Sequence, residues 1–366
     1  MIPDKILRSC YVRDLPEDIY HADALCPVQS LSHSMAKQLL APAGPAKWKY
    51  ARDRGVREVK KEWDLGSAVH TLVLGTGYQV AIIPDELLSG DSRSISSRVA
   101  KQWVADARSR GEIPLKSDEY AVAQDMAASV QSHPRAAELL HGVPELSGFA
   151  RVDGLGEWLR CRYDLHNDLG GVDLKTTTNA DPDAFNKRAA DYGYTLQDAI
   201  YRWVDRLLGH RDPTFTFVQV ETEPPYLCSF VTLSGELREW GDEQARKALE
   251  LWHQCRTTDT WPGYPNEVVE VSDLPGYLRG RQPARLVDVK EAAALVGCSE
   301  TTIRRRIDDG TLDAELVGGR WRVPDRQLTI LGVQPRALRT TESHTPAELD
   351  PDLESELLTL LEGTPA

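Results

Sequence analysis

The stretch GGVDLKTTTNADPDAFNKRAADYGYTLQDAIY, residues 170–201, constrains this chain more than any other. It sets Asp173 and Lys175 two apart in a strand-like run, then Gln197 and Tyr201 four apart in a helix-like run. Residues i and i+2 of a strand share a face, as do i and i+4 of a helix, so four polar groups can converge. Upstream, LRCRYDL supplies a second carboxylate, Asp164, and Gly170-Gly171 between the two carboxylates reads as the turn of a hairpin. Two carboxylates and a Lys at such spacing suit metal-dependent cleavage of a phosphodiester. Carboxylates hold Mg2+ or Mn2+, the metal polarises a phosphoryl oxygen and lowers the pKa of a bound water, and the Lys orients or deprotonates that water.

Each piece alone has an ordinary reading. An Asp-x-Lys on a strand is usually a solvated face, a His in AVHTLVL a core histidine, and Gln197 and Tyr201 plain helix surface and core. Their joint occurrence, in order, changes the balance. Gly66 and His70 in LGSAVHTLVLG, Asp164 in CRYDL, Asp173 and Lys175 in VDLKTT, and Gln197 and Tyr201 in GYTLQDAIY follow one another along the chain. This series resembles the PD-(D/E)XK nucleases, specifically the RecB-like branch that contains phage and prophage exonuclease VIII, the RecE type. The flanks LSHSMAKQLLAPAGPAKWKY and VQVETEPPYLCSF are similar to that branch too, so the resemblance spans roughly residues 28–260. It implies that His70, Asp164 and Asp173 ligate the metal, that Lys175 serves the nucleophilic water, and that Gln197 and Tyr201 steady the site and the DNA strand.

Composition is compatible with this reading. At 366 residues the chain has room for two or more domains, and 41% hydrophobic content with nine Trp allows a substantial core. No apolar run reaches the roughly 18 residues of a membrane helix and the N-terminus lacks a signal-peptide layout, so no membrane association and a cytoplasmic location are expected. Cysteines at 10, 26, 161, 228, 255 and 298 form no C-x-x-C, which argues against zinc and a dense disulfide framework. Some RecB-like relatives carry an iron-sulfur cluster on closely spaced Cys. That clustering is absent, so no iron-sulfur cluster is expected.

The net charge of −13 is unevenly spread. Residues 341–366 hold seven acids and no Lys or Arg, and residues 285–340 hold ten bases and eight acids, leaving −8 for residues 1–284. Local basic runs can still meet phosphates, among them Lys47, Lys49, Arg52 and Arg54, then Arg57, Lys60 and Lys61. A solvated helix face explains those runs equally well.

The expected order is helices at 31–41, with Ser32 or Ser34 as cap, then 62–75, 94–111 and 117–141. A meander from 147, a helix at 183–209, the strands TFTFVQVE and YLCSFVTL, and a helix at 234–256 follow. That order gives an α/β restriction-endonuclease-like core with a mixed sheet flanked by helices, over residues 1–271. A linker is expected at 272–284. Beyond it, VKEAAALV, the turn GCS with Ser299 as cap, and ETTIRRRIDDG have helix-turn-helix spacing, and AELVGGRWRVP reads as a hairpin at Gly318-Gly319. This segment, 285–331, resembles the winged helix-turn-helix of excisionase and MerR-type proteins. Arg304, Arg305, Arg306, Arg320 and Arg322 are its candidate DNA contacts, with a protein-interaction module as the other reading. The tail, 332–366, is acidic and expected to be disordered.

Together these readings predict a metal-dependent deoxyribonuclease with Mg2+ or Mn2+ as cofactor. The resemblance implies an exonuclease acting 5′ to 3′ on double-stranded DNA ends in phage recombination. It also implies a single-strand annealing (RecT-like) partner and a ring-like homo-oligomer. Two alternatives stay open: a DNA-binding regulator built on an inactive nuclease scaffold, and a nuclease specific for single strands or RNA.

Overall fold

The computed structural model describes residues 3–55, 62–271, 286–325 and 328. The expected linker, the acidic tail and the basic residues Arg57, Lys60 and Lys61 lie outside the described residues. Two compact units divide after Tyr264.

The first unit runs β1 (Cys10–Val12), α1 (Glu17–Ala22), β2 (Ser30–Ser32), α2 (His33–Leu40), α3 (Gly44–Asp53), α4 (Glu62–Leu74), β3 (Val80–Ile82), α5 (Arg98–Ser109), β4 (Ile113–Leu115), α6 (Ser117–Ser132) and α7 (Pro134–Leu139). It continues with β5 (Val143–Val152), β6 (Glu157–Asn167), β7 (Gly170–Thr177), α8 (Pro182–Asp191), α9 (Tyr194–Leu207), β8 (Thr214–Glu221), β9 (Cys228–Thr232) and α10 (Gly235–Thr258). One mixed sheet has the order β1-β5-β6-β7-β8-β9, with β2 paired to β6. β7 and β8 are parallel, as are β2 and β6, and the other pairs of this sheet are antiparallel. β3 and β4 pair with each other apart from it.

Local chemistry explains most boundaries. Ser32 caps α2, its Oγ accepting from Met35 N at 3.4 Å. Two expected long helices are each broken in two. Pro134, whose ring cannot continue a helix interior, separates α6 from α7. Gly193, with φ at 75°, separates α8 from α9 in the left-handed region that favours glycine.

The sheet is covered on both faces. Leu39, Trp48, Tyr163, Trp203, Phe217 and Trp252 belong to one apolar cluster that joins the sheet to α2, α9 and α10. Ala68, Val69, Met126, Val172, Leu174 and Val218 belong to a second, joining it to α4 and α6. The small residues Gly66 and Ala68 let α4 approach closely, and a Cβ on Gly66 would stand 3.4 Å from Thr176 Oγ1. Among the described residues no helix is long and apolar enough to cross a membrane.

Gly170 and Gly171 are not the hairpin turn. The turn is Asp168-Leu169, and both glycines open β7. A Cβ on Gly171 would stand 2.4 Å from the ring of Tyr163 and 2.7 Å from that of Phe215, so close packing requires the glycine. Gly171→Ala should destabilise the fold by roughly 1–3 kcal/mol, the usual result of overpacking. Gly156→Ala, with no atom within 4 Å of the added Cβ but a φ of 63°, should act only through backbone strain and lower the thermal midpoint less. Equal midpoints in the two variants would refute this account of Gly171.

The second unit is built from β10 (Leu286–Asp288), α11 (Val289–Val296), α12 (Glu300–Asp308), β11 (Glu315–Val317) and β12 (Arg320–Pro324). Asp288 caps α11 and Ser299 caps α12, while Gly297 ends α11 at φ 71°. Gly318 and Gly319, at φ 59° and 76°, form the hairpin turn. Val287, Ala292, Ile303, Leu312 and Val323 close its small core.

Candidate nuclease site

The antiparallel ladder between β6 and β7 ends at Leu165↔Val172, one residue short of Asp164 and Asp173. Past that pair the strands part. β7 meanwhile stays paired with β8 from Gly170↔Thr214 to Thr177↔Glu221, which keeps it straight through Asp173 and Lys175. The N–H of Leu174 donates to Asp164 Oδ2 at 2.7 Å, so a carboxylate replaces the missing strand partner.

Asp173 is 3% exposed and held from two sides. Gln197 Nε2 donates to its Oδ1 at 2.6 Å, and Lys175 Nζ stands 2.5 Å from its Oδ2. Burial disfavours the charge on Lys175. The attraction of Asp173 and Asp164, with the hydrogen bond to Asp173, outweighs burial and raises the ammonium above its ordinary value. The ammonium also lies 5.2 Å over the ring of Tyr194, a cation–π contact at the first residue of α9.

His70, on α4, closes the group from the other side. Its Nε2 is 2.6 Å from Leu174 O and its Nδ1 3.4 Å from Asp164 Oδ2. A carbonyl only accepts, so Nε2 carries the hydrogen. In the neutral ring Nδ1 is then an acceptor facing a carboxylate oxygen, an arrangement that a shared proton or a cation satisfies. Asp164 is pushed up to about 7, first by burial and further by the charge of Asp173, against the opposing effects of His70, Lys175 and the Leu174 amide.

These donors fit a divalent cation by their chemistry: two carboxylates, one imidazole and one peptide carbonyl around a single residue, Leu174. Among the described residues no three His, Cys, Asp or Glu side chains already stand as a ligating group. The fit therefore rests on the donor set and on the Nδ1–carboxylate pair of acceptors.

The structure thus brings together His70, Asp164, Asp173, Lys175 and Gln197. Tyr201 lies beneath them, its hydroxyl raised by burial and further by neighbours that include Asp173 and Asp164. It is 9% exposed, its ring packs edge-on to Tyr163 and Phe215 at 5.1 and 4.9 Å, and it belongs to the core beneath the site. Of the basic run on α3, Lys49 pairs with Asp53, while Arg52 and Arg54 lie over the rings of Trp48 and Tyr50.

Sequence reasoning missed Glu145. The β5–β6 register, Pro144↔Leu165 and Leu146↔Tyr163, puts it opposite Asp164, and its φ of 51° interrupts the ladder there. With His70, Gly66, Tyr78 and Arg162 it lines a cavity of about 480 Å³ beside the site. Burial raises its carboxyl, while Arg162 and His70 draw it down and Glu17 pushes it up. Nothing in the string VPELSG marks this Glu, because the pairing that aligns it with Asp164 is tertiary.

In the second unit Arg304, Arg305 and Arg320 are exposed, while Arg306 and Arg322 are half-buried. Arg322 Nη1 lies 4.0 Å from Asp288 Oδ2.

Residues 32–273 match the model of a PDDEXK-like domain of unknown function, DUF3799. The chain belongs to this PDDEXK-like family. Residues 286–328 match a helix-turn-helix domain. Comparison with curated proteins gives no match. Among solved structures, the chain is similar to one from Eubacterium rectale described as a "Putative exonuclease", at 12% identity and a TM-score of 0.49, covering 73% of this chain and 98% of that one. The PDDEXK-like assignment agrees with the mixed sheet flanked by helices, and that superfamily is generally dependent on divalent metals.

Gln197 gives the site its most direct structural test. Gln197→Ala leaves Asp173 Oδ1 buried without its amide donor, which should lower stability by roughly 1–3 kcal/mol. The double variant Gln197→Ala/Asp173→Asn should lose less than the sum of the two single changes, because both act on one contact. Strict additivity in urea unfolding would show that the contact contributes nothing.

Proposed function

We propose that this chain is a metal-dependent deoxyribonuclease, and that Asp164, Asp173, Lys175 and His70 carry its chemistry. The observation that supports this most is the parting of β6 and β7, which puts two carboxylates, an imidazole and an ammonium around one peptide unit. Asp164, Asp173 and His70 would hold the cation, with Leu174 O beside them. When bound, Mg2+ or Mn2+ supplies charge neutralisation at the phosphoryl oxygens and a water of lowered pKa.

The chain's own groups have separable tasks. Gln197 orients Asp173, since its amide fixes one carboxylate oxygen and leaves the other to Lys175. Lys175 orients the attacking water and offsets the negative charge that gathers on the phosphoryl group during the reaction. Tyr201 and Tyr163 form the packed support under Gln197, their rings 5.1 Å apart.

Cleavage as an exonuclease on double-stranded ends is the form of activity we favour, from the order and identity of the motifs. The same resemblance is the ground for 5′ to 3′ polarity, a strand-annealing partner, ring-like assembly and a role in phage recombination. The helix-turn-helix unit would add affinity for DNA through Arg304–Arg306, Arg320 and Arg322.

Linear duplex DNA with Mg2+ or Mn2+ provides the assay. Activity should vanish with a chelator, and Asp173→Asn should abolish metal binding while the fold survives. Lys175→Ala should bind DNA ends almost normally and cut roughly 100- to 1,000-fold more slowly. Full cleavage by Asp173→Asn, prepared free of host nucleases, would overturn the assignment. If Lys175→Ala loses affinity and keeps its turnover, Lys175 is only a phosphate contact.

A chain ending at residue 271 should fold and cleave, because the site lies wholly within the first unit. If the second unit grips DNA, its removal should flatten the salt dependence of binding by about 0.9 in log–log slope for each lost phosphate contact. An unchanged slope would mean that this unit contacts protein instead.

A further inference from the structure

Near the Asp173–Lys175 pair lie two further cations that, among the described residues, have no carboxylate partner. Lys37, on α2, is exposed, and its Nζ donates to Tyr192 O at 2.5 Å. Its stem covers Gly193, where an added Cβ would meet Lys37 Cδ at 3.3 Å, and one turn earlier His33 Nε2 is 3.1 Å from Gly193 O. Arg188, on α8, reaches back over the sheet. It donates through Nη1 to Thr177 Oγ1 and through Nη2 to Gln219 Oε1 at 3.2 Å, while its buried Nε has no hydrogen-bond partner.

Those two acceptors fix Arg188 relative to the catalytic Lys. Thr177 lies two residues beyond Lys175 on the same face of β7, and Gln219 is the cross-strand partner of Lys175 in the parallel β7–β8 register. Arg188 therefore continues the row Asp173, Lys175, Thr177. Among the described residues neither Lys37 nor Arg188 has a carboxylate within 4.0 Å, and the exposed Asp183 and Asp191 on α8 pair with neither. Elsewhere in this unit, Arg160, Arg202 and Arg256 each have a carboxylate close by. Tyr192, whose carbonyl accepts from Lys37 and whose N–H donates to Arg188 O at 2.8 Å, is 54% exposed and stands beside Tyr194, ring centroids 5.8 Å apart.

We propose that Lys37 and Arg188 bind the DNA backbone phosphates next to the cleaved bond, and that Tyr192 is the surface on which an unpaired base of that strand stacks. The inference rests on the nuclease reading and specifies the strand path at the same site. Two cations without a carboxylate partner beside the Asp173–Lys175 pair, with an exposed aromatic ring on the residue whose carbonyl holds Lys37, match a nucleic-acid strand: phosphates meet the cations and the base meets the ring. The neutral acceptors of Arg188 hold its guanidinium in place without cancelling its charge, which leaves the charge for a phosphate. Lys37 is lowered from its ordinary value, first by the partial burial of its ammonium and then by the charge of Lys175.

The test uses the full chain and fluorescent 20-nucleotide DNA, blunt duplex and single-stranded, in chelator so that nothing is cut. Lys37→Met keeps the stem over Gly193, and Arg188→Met removes the charge. Arg188→Lys keeps the charge without the fork, and the exposed Lys101→Met serves as the control. Lys37→Met and Arg188→Met should each weaken binding several-fold and lower the log–log salt slope by about 0.7–0.9, while Arg188→Lys retains the slope and Lys101→Met matches the parent. Tyr192→Ala should weaken the single strand about tenfold and the duplex less. A brace for the Tyr192–Tyr194 turn alone would change the thermal midpoint and leave the salt slope intact, and that result would overturn the proposal. Should Arg188→Met fail to fold, Lys37→Met and Arg188→Lys still decide it. If the parent chain proves unable to cut DNA yet these variants lose salt slope, the nuclease reading falls and the strand path stands. If the parent cuts and the slopes do not move, only the strand path falls.

Discussion

The site depends on where one β-ladder stops. β6 and β7 are paired only through their hairpin end, and beyond Leu165↔Val172 the peptide groups of β7 lose their partner on that side. A buried N–H left without an acceptor is unfavourable by about 1–3 kcal/mol, so something must take its place. Asp164 takes the N–H of Leu174 and His70 meets its carbonyl. The groups read as catalytic are thus also the groups that repair the interrupted sheet. β8, paired with β7 along its whole length, keeps the interruption from spreading.

From that break the other contacts follow in order. With Asp173 buried and close to Asp164, two negative charges need compensation, and Lys175 and Gln197 supply it from the strand and from α9. α9 is placed by the turn at Gly193, which α2 grips through His33 and Lys37. Under it, Tyr163 and Tyr201 pack on each other, and Tyr163 OH donates to the buried Asp205 at 2.6 Å. The Asp205 carboxylate oxygen is also 2.7 Å from Tyr11 OH and 3.0 Å from His166 Nε2, which ties β1, β6 and α9 together behind the site. Rigid support of this kind keeps a short-range constellation within the tolerance that phosphoryl chemistry requires.

Much of this was legible in the sequence, for local reasons. The two-residue spacing of Asp173 and Lys175 on a strand, the four-residue spacing of Gln197 and Tyr201 on a helix, and the caps Ser32 and Ser299 are properties of neighbouring residues, and each reappears in the structure. The helix-turn-helix unit was equally open to reading, since Gly297, Ser299 and Gly318-Gly319 each have one conformational purpose. The errors were also local in origin. A glycine pair reads as a turn unless the rings of Tyr163 and Phe215 are known to lie against it, and those contacts come from the two neighbouring strands, which only the sheet pairing sets beside it.

What the sequence determined by itself is the set of chemical groups, their order, and the elements that carry them, because periodicity and turn chemistry act over a few residues. Tertiary structure decided which of those groups meet. It set Glu145 opposite Asp164, packed Tyr201 on Tyr163 beneath the site, and gathered Lys37 and Arg188 about Lys175 from three separate elements. Such meetings depend on strand register and helix packing, which are fixed by the burial of two apolar faces over the whole sheet and have no signature in any single stretch of chain.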